Sequence, residues 1–179
     1  MSIEASRLYL AIPTRGEINH NTIAAVTLLY EAHPDLNLAI TPGRLAVTHV
    51  RNQIVKNFLA TACEYLFMVD DDVIPNPELL SLADEGKDII GSIYPIMRPP
   101  QYLIPIPCAI QRCPDHNNQP EIIKNPFSHT GIVKVDAIGT GAICIARRVF
   151  EHPGMRVPFT FGIDEYGVMT RSEDVEFCL

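Results

Sequence analysis

The chain has 179 residues, 47% hydrophobic and 20% charged, which fits one folded domain with a proper core and excludes a disordered chain. Fourteen Lys and Arg face 21 Asp and Glu, and the formal charge of −7 argues against a broad grip on nucleic acid, which depends on excess basic residues. No apolar run approaches the roughly 20 residues of a membrane span, so no integral membrane segment is expected.

In chain order, Leu8 to Ile12 reads as a short apolar strand closed by Pro13-Thr14-Arg15-Gly16. Ile18, Thr22, Ala25, Val26 and Leu29 recur at helical spacing until His33-Pro34 stops the helix. Leu36 to Ile40 is a second strand. A helix from about Leu45 to Ala62 follows, with Val47, Val50, Ile54 and Phe58 on one stripe. Tyr65 to Val69 is a third strand, Asn76 caps a short helix with Pro77 at its first position, and Asp88 to Tyr94 is a fourth strand. Strands and helices that alternate in this way predict an α/β fold with a mostly parallel sheet and ligand sites at the strand C-termini.

The second half is irregular. Residues 95–130 hold more than half of the fifteen prolines and predict strands and long loops. Ile132 to Val135 and Ala142 to Ala146 read as further strands, and Val157 to Met169 as an aromatic, glycine-rich covering loop. Ser172 is placed to cap a last helix, with Glu173, Asp174 and Glu176 at its positive end. The chain reads as a single domain, 1–179, with halves at 1–94 and 95–179.

The densest chemistry is Asp70-Asp71-Asp72 at the end of an apolar strand. Alternation along a strand puts Asp70 and Asp72 on one face and Asp71 on the other. Clustered carboxylates raise each other's pKa unless a cation or several donors sit on them. A divalent cation with oxygen ligands and a solvated acidic turn both fit the triplet. Arg51 lies beside Ile54 and Val55 on its helix, where a bland amphipathic helix carries no charge. A guanidinium there seeks a carboxylate or a phosphate, or snorkels to water.

Five cysteines, Cys63, Cys108, Cys113, Cys144 and Cys178, are scattered and odd in number. They fit reduced thiols, and Met1 to Arg7 contains Glu4 rather than a secretory pattern, so a cytoplasmic protein is expected. Cys108, Cys113 and His116 miss the usual zinc spacing and lack an evident fourth ligand.

Four segments, in this order, resemble the nucleotide-sugar glycosyltransferases of the GT-A fold, in particular the large inverting group called family two: Ile12-Pro13-Thr14-Arg15-Gly16, Arg51-Asn52, Asp70-Asp71-Asp72 and Ser172-Glu173-Asp174. Each motif is short, and order and spacing together carry the resemblance across nearly the whole chain. It implies a GT-A-like, Rossmann-like sheet flanked by helices. The first half would bind a nucleoside-diphosphate sugar, and the second would shape the donor-sugar and acceptor sites.

Residue by residue, the resemblance implies that Pro13, Thr14 and Arg15 or Glu17 hold base and ribose, and that Arg51 faces the diphosphate or the aspartates. Asp70-Asp71-Asp72 corresponds to the DxD motif: Asp72 would bind Mn²⁺ or Mg²⁺, and Asp70 the metal or the ribose. Gly139-Thr140-Gly141 would be the turn near donor sugar and acceptor. Asp174, with Glu173 before it, would be the general base that takes a proton from the acceptor hydroxyl. The acceptor itself, saccharide, lipid-linked or protein, is open.

Many such enzymes place a metal-binding histidine downstream of the acidic pair, whereas His129 and His152 precede it here. This departure leaves a truncated or inactive nucleotide-binding homologue as an alternative, and self-association through apolar sheet surface as a further expectation. A haloacid-dehalogenase-type phosphatase using Asp70 as nucleophile and Asp72 as acid/base is the rival enzyme. Against it, the triplet follows two βα units instead of opening the core.

Overall fold

The computed structural model describes residues 3–43, 46–92, 95–96, 106–107, 109–113, 119–122 and 131–178. Its frame is a five-stranded sheet of order β2-β1-β3-β10-β4, built from β1 (Leu8–Thr14), β2 (Asn37–Pro42), β3 (Tyr65–Val69), β4 (Ile89–Gly91) and β10 (Ala142–Ala146). β1 runs parallel to β2 and to β3, while β10 runs antiparallel to both of its neighbours, β3 and β4. The result is a mostly parallel sheet whose one reversed strand comes from the second half of the chain.

β1, β3 and β10 are buried along their whole length. Runs such as Tyr65-Leu-Phe-Met-Val69 and Ala142-Ile-Cys-Ile-Ala146 are apolar on both faces because both faces are covered. On one face Tyr9, Ala11, Leu66, Met68, Ile143 and Ile145 pack with Val50, Ile54, Val55 and Phe58 of helix α2 (Val47–Leu59). On the other, Leu8, Leu10, Ile12, Phe67, Val69 and Cys144 pack with Val26 and Leu29 of helix α1 (His20–Ala32) and with the 3₁₀ helix Leu79–Glu85. Odd and even positions of each strand therefore feed separate cores.

The smaller elements are β5 (Pro95–Ile96), β6 (Ile106–Pro107), β7 (Ala109–Cys113), β8 (Gln119–Ile122) and β9 (Ala137–Ile138), followed after β10 by helix α3 (Arg147–Phe150), the hairpin strands β11 (Gly162–Ile163) and β12 (Met169–Arg171), and helix α4 (Glu173–Cys178). β5 pairs with β6, and β7 pairs with β8 and β9, all antiparallel.

Several expectations need correction. Residues 132–135 are not a ladder strand, and pairing begins at Ala137. The helix after Asn76 is a 3₁₀ helix starting at Leu79, and Asn76 Oδ1 instead accepts from the backbone N–H of Glu78 at 2.8 Å in a tight turn. The covering loop closes with the β11–β12 hairpin, and α3 had no sequence signal. Tyr94, Cys108, His116 and His129 lie outside the described residues. Among the described residues no helix is long and apolar enough to cross a membrane.

Candidate active site

From β1 the chain moves outward to β2, then crosses back to place β3 on the far side of β1. The gap beyond the C-terminal ends of β1 and β3 is therefore a topological switch point, the place where open α/β sheets bind ligands. A cleft of about 390 Å³ opens there, lined by Pro13, Thr14 and Arg15 after β1, Val47, Val50 and Arg51 of α2, Asp70, Asp71 and Asp72 after β3, and Glu173 and Asp174 of α4. That volume lies within the range of small-molecule sites.

Arg51 organises it. The side chain is only 3% exposed, and it bonds carboxylates that lie over 100 residues apart in sequence. Its Nη2 donates to Asp70 Oδ1 and Oδ2 at 2.9 and 3.1 Å, and Nη1 donates to Glu173 Oε1 at 2.7 Å and to Asp174 Oδ1 at 3.1 Å. Its Nε has no partner among the described residues. Burial opposes the charged guanidinium, yet Asp70, Asp174 and Glu173 outweigh that and hold its pKa above the ordinary value. The Asp70 carboxyl is shifted up, chiefly by burial, with Arg51 pulling down and Asp174 and Asp72 adding to the rise.

The three aspartates part company once β3 ends. Asp70 turns inward to Arg51, and its backbone N–H donates to Gly141 O at 2.9 Å. Asp71 turns back to the first loop, where its Oδ2 accepts from the Arg15 N–H at 3.3 Å and its carbonyl from Asn19 N–H at 2.8 Å. Asp72 is exposed. In that first loop Thr14 Oγ1 accepts from Gly16 N–H at 3.0 Å and donates to Glu17 O at 3.2 Å. Gly16, with φ of 122°, sits where a side chain would be strained.

Pro13, Thr14, Arg15, Arg51, the aspartates, Glu173 and Asp174 thus share one cleft. Glu17 is exposed and outside its lining, and Gly139, Thr140 and Gly141 are buried behind it. Thr140 donates its hydroxyl to Asp174 Oδ1. The glycine-flanked turn therefore supports Asp70 and Asp174 from below and does not itself face the cleft. The residue that sequence reasoning left without a role is Asn52. Its signal in the sequence is slight, an amide directly after Arg51 with Thr48 and Lys56 one turn away on either side.

Among the described residues no three His, Cys, Asp or Glu side chains are arranged to hold a metal by themselves. Mg²⁺ and its like are commonly held by one or two carboxylates together with substrate phosphates. Asp70 and Asp72 both line the cleft, and Asp72 is exposed.

No protein-family model matches the chain, and no curated protein matches it. Among solved structures, the crystal structure of A197 from STIV aligns with a TM-score of 0.63 at 20% sequence identity, covering 96% of this chain and 76% of that one. At that identity the similarity shows a shared fold and nothing about activity.

Proposed function

We propose that the chain is a metal-dependent inverting glycosyltransferase of the GT-A type, moving a sugar from a nucleoside-diphosphate sugar to a hydroxyl acceptor. The observation that carries this reading is the convergence of Asp70-Asp71-Asp72 and Glu173-Asp174 on Arg51 at the switch point. An acidic turn in water would have no reason to recruit a second acidic pair from over 100 residues away.

Charge supports the metal. The cleft gathers five carboxylates against two guanidiniums, Arg15 and Arg51, so an anionic diphosphate would be repelled unless a cation came with it. In this reading Asp72 and Asp70 hold Mn²⁺ or Mg²⁺, and Pro13, Thr14 and Arg15 border the nucleoside. The cation, when bound, offsets charge developing on the leaving diphosphate. Asp174 Oδ1 is fixed by Arg51 and Thr140, and its second oxygen has no hydrogen bond among the described residues. That oxygen takes the acceptor proton as the hydroxyl attacks the anomeric carbon from the face opposite the diphosphate. The phosphatase alternative is disfavoured because the aspartates follow two βα units, β1–α1 and β2–α2, instead of opening the core.

Calorimetric titration of UDP and GDP, with and without Mn²⁺, tests the reading. Binding is expected only with Mn²⁺, lost in Asp72→Ala and retained in Asp174→Asn. Sugar transfer in Asp174→Asn should fall about 10²–10⁴-fold, the usual contribution of a general base. Nucleotide binding by Asp72→Ala equal to that of the parent would overturn the metal assignment.

A further inference from the structure

We infer that Asn52 is a positioning residue that hangs the base-bearing segment 157–178 on α2, beside the hold that Arg51 has on the same segment. The inference rests on the proposed function in taking Asp174 as the base. Adjacent helix positions point about 100° apart, so Arg51 and Asn52 serve different targets. Arg51 reaches the start of α4. Asn52 Nδ2 donates to Phe159 O at 2.7 Å, and Phe159 N–H donates to Asn52 Oδ1 at 3.0 Å. One side-chain amide thus satisfies both backbone groups of Phe159, as a neighbouring strand would.

Around Phe159 the chain has little else of that kind. Among the described residues, no backbone–backbone hydrogen bond involves residues 156–161. Phe159, 1% exposed, stacks on Phe177 of α4 with ring centroids 4.7 Å apart, and the Arg51 guanidinium carbon lies 5.9 Å from the Phe159 ring centroid. Phe177 stacks in turn on Phe150 at 6.1 Å. The loop at Phe159 and the helix carrying Asp174 are therefore packed as one unit, and its polar attachment to α2 passes through two consecutive side chains. Asn52 lies outside the lining of the cleft. Losing it should disturb the base without disturbing the nucleotide.

Amide hydrogen exchange on the full chain, read by mass spectrometry, tests this together with Mn²⁺–UDP and Mn²⁺–GDP titration. Asn52→Ala should speed exchange at least 10-fold across 157–178 while β1 and β3 stay within about 2-fold, a local opening rather than global unfolding. Asn52→Asp keeps the acceptor for Phe159 N–H and loses the donor, so its exchange should fall between parent and alanine variant. Nucleotide affinity in both variants should stay within about 2-fold of the parent. Unchanged exchange in 157–178, or equal loosening of segment and sheet in both variants, would overturn the positioning role. A parent protein that binds neither nucleotide with Mn²⁺ would overturn the glycosyltransferase reading instead, and the exchange data would still decide whether Asn52 holds the segment.

Discussion

Cys144 sits fully buried in β10, opposite Phe67 of β3. Burial pushes its thiol far above the ordinary value, and Cys178 is shifted up for the same reason. A thiol whose folded pKa exceeds its unfolded one contributes stability that is intact below the unfolded value, near 8.5, and is lost as pH rises through the folded value. Stability should therefore fall above about pH 9, with each such group adding up to about 1.4 kcal/mol per pH unit. Urea denaturation between pH 8 and 10.5 should show a shallower fall for Cys144→Ala than for the parent, whatever the offset caused by its cavity. Parallel slopes would mean that the thiol ionises in the folded state too. At this scale the sequence was readable where a residue broke its local pattern. Arg51 was conspicuous as a charge on an apolar stripe, though its carboxylate partners, and not a phosphate, could be seen only in three dimensions. The alternation assigned to Asp70, Asp71 and Asp72 did not carry over, because β3 ends at Val69 and a turn follows in which Val73 N–H bonds Asp70 O at 3.1 Å.

Arg147 shows how much passes between elements without a local signature. It opens α3, and its Nη1 donates to Thr61 O and Cys63 O at 3.0 Å each while Nη2 donates to Leu59 O at 2.8 Å. These carbonyls belong to the last residue of α2 and the turn into β3, groups that a helix cannot satisfy internally. The guanidinium also lies 5.5 Å from the Phe58 ring centroid, and a cation at a helix C-terminus is favoured by the helix dipole. Arg147→Met, which keeps the packing and removes the donors, should cost about 2–3 kcal/mol in urea denaturation. Arg147→Lys should recover part of that, since one ammonium cannot reproduce the fork. A loss below about 0.5 kcal/mol would show that water replaces the cap. Strands followed similar logic. β3 and β10 have their expected bounds and β1 runs two residues further, because continuous apolar runs with two covered faces have one way to be buried. Residues 132–135 show the same β-branched pattern, yet Ile132 is 53% exposed and no ladder forms. Propensity proposes a strand, but a partner has to accept it.

Across the whole molecule, the fold concentrates negative charge in one place. The chain carries −7 overall, and five of its carboxylates line a single cleft at the switch point, three of them sharing one buried guanidinium. Arg51 holds these groups together without neutralising the set, so the free protein carries unrelieved repulsion at the site it presents. A ligand that brings cations should stabilise the fold well, and an anion without them hardly at all. By mass action, a nucleoside diphosphate with Mn²⁺ at 100 times its dissociation constant adds about 2.7 kcal/mol to unfolding. For a chain of this length that corresponds to a rise of about 7 °C in Tm. The same nucleotide in EDTA should move Tm by less than about 1 °C, and Asp72→Ala should lose the rise. A comparable rise in EDTA would mean that the diphosphate is met by Arg15 and Arg51 alone, and that the acidic cluster serves the fold instead of a metal.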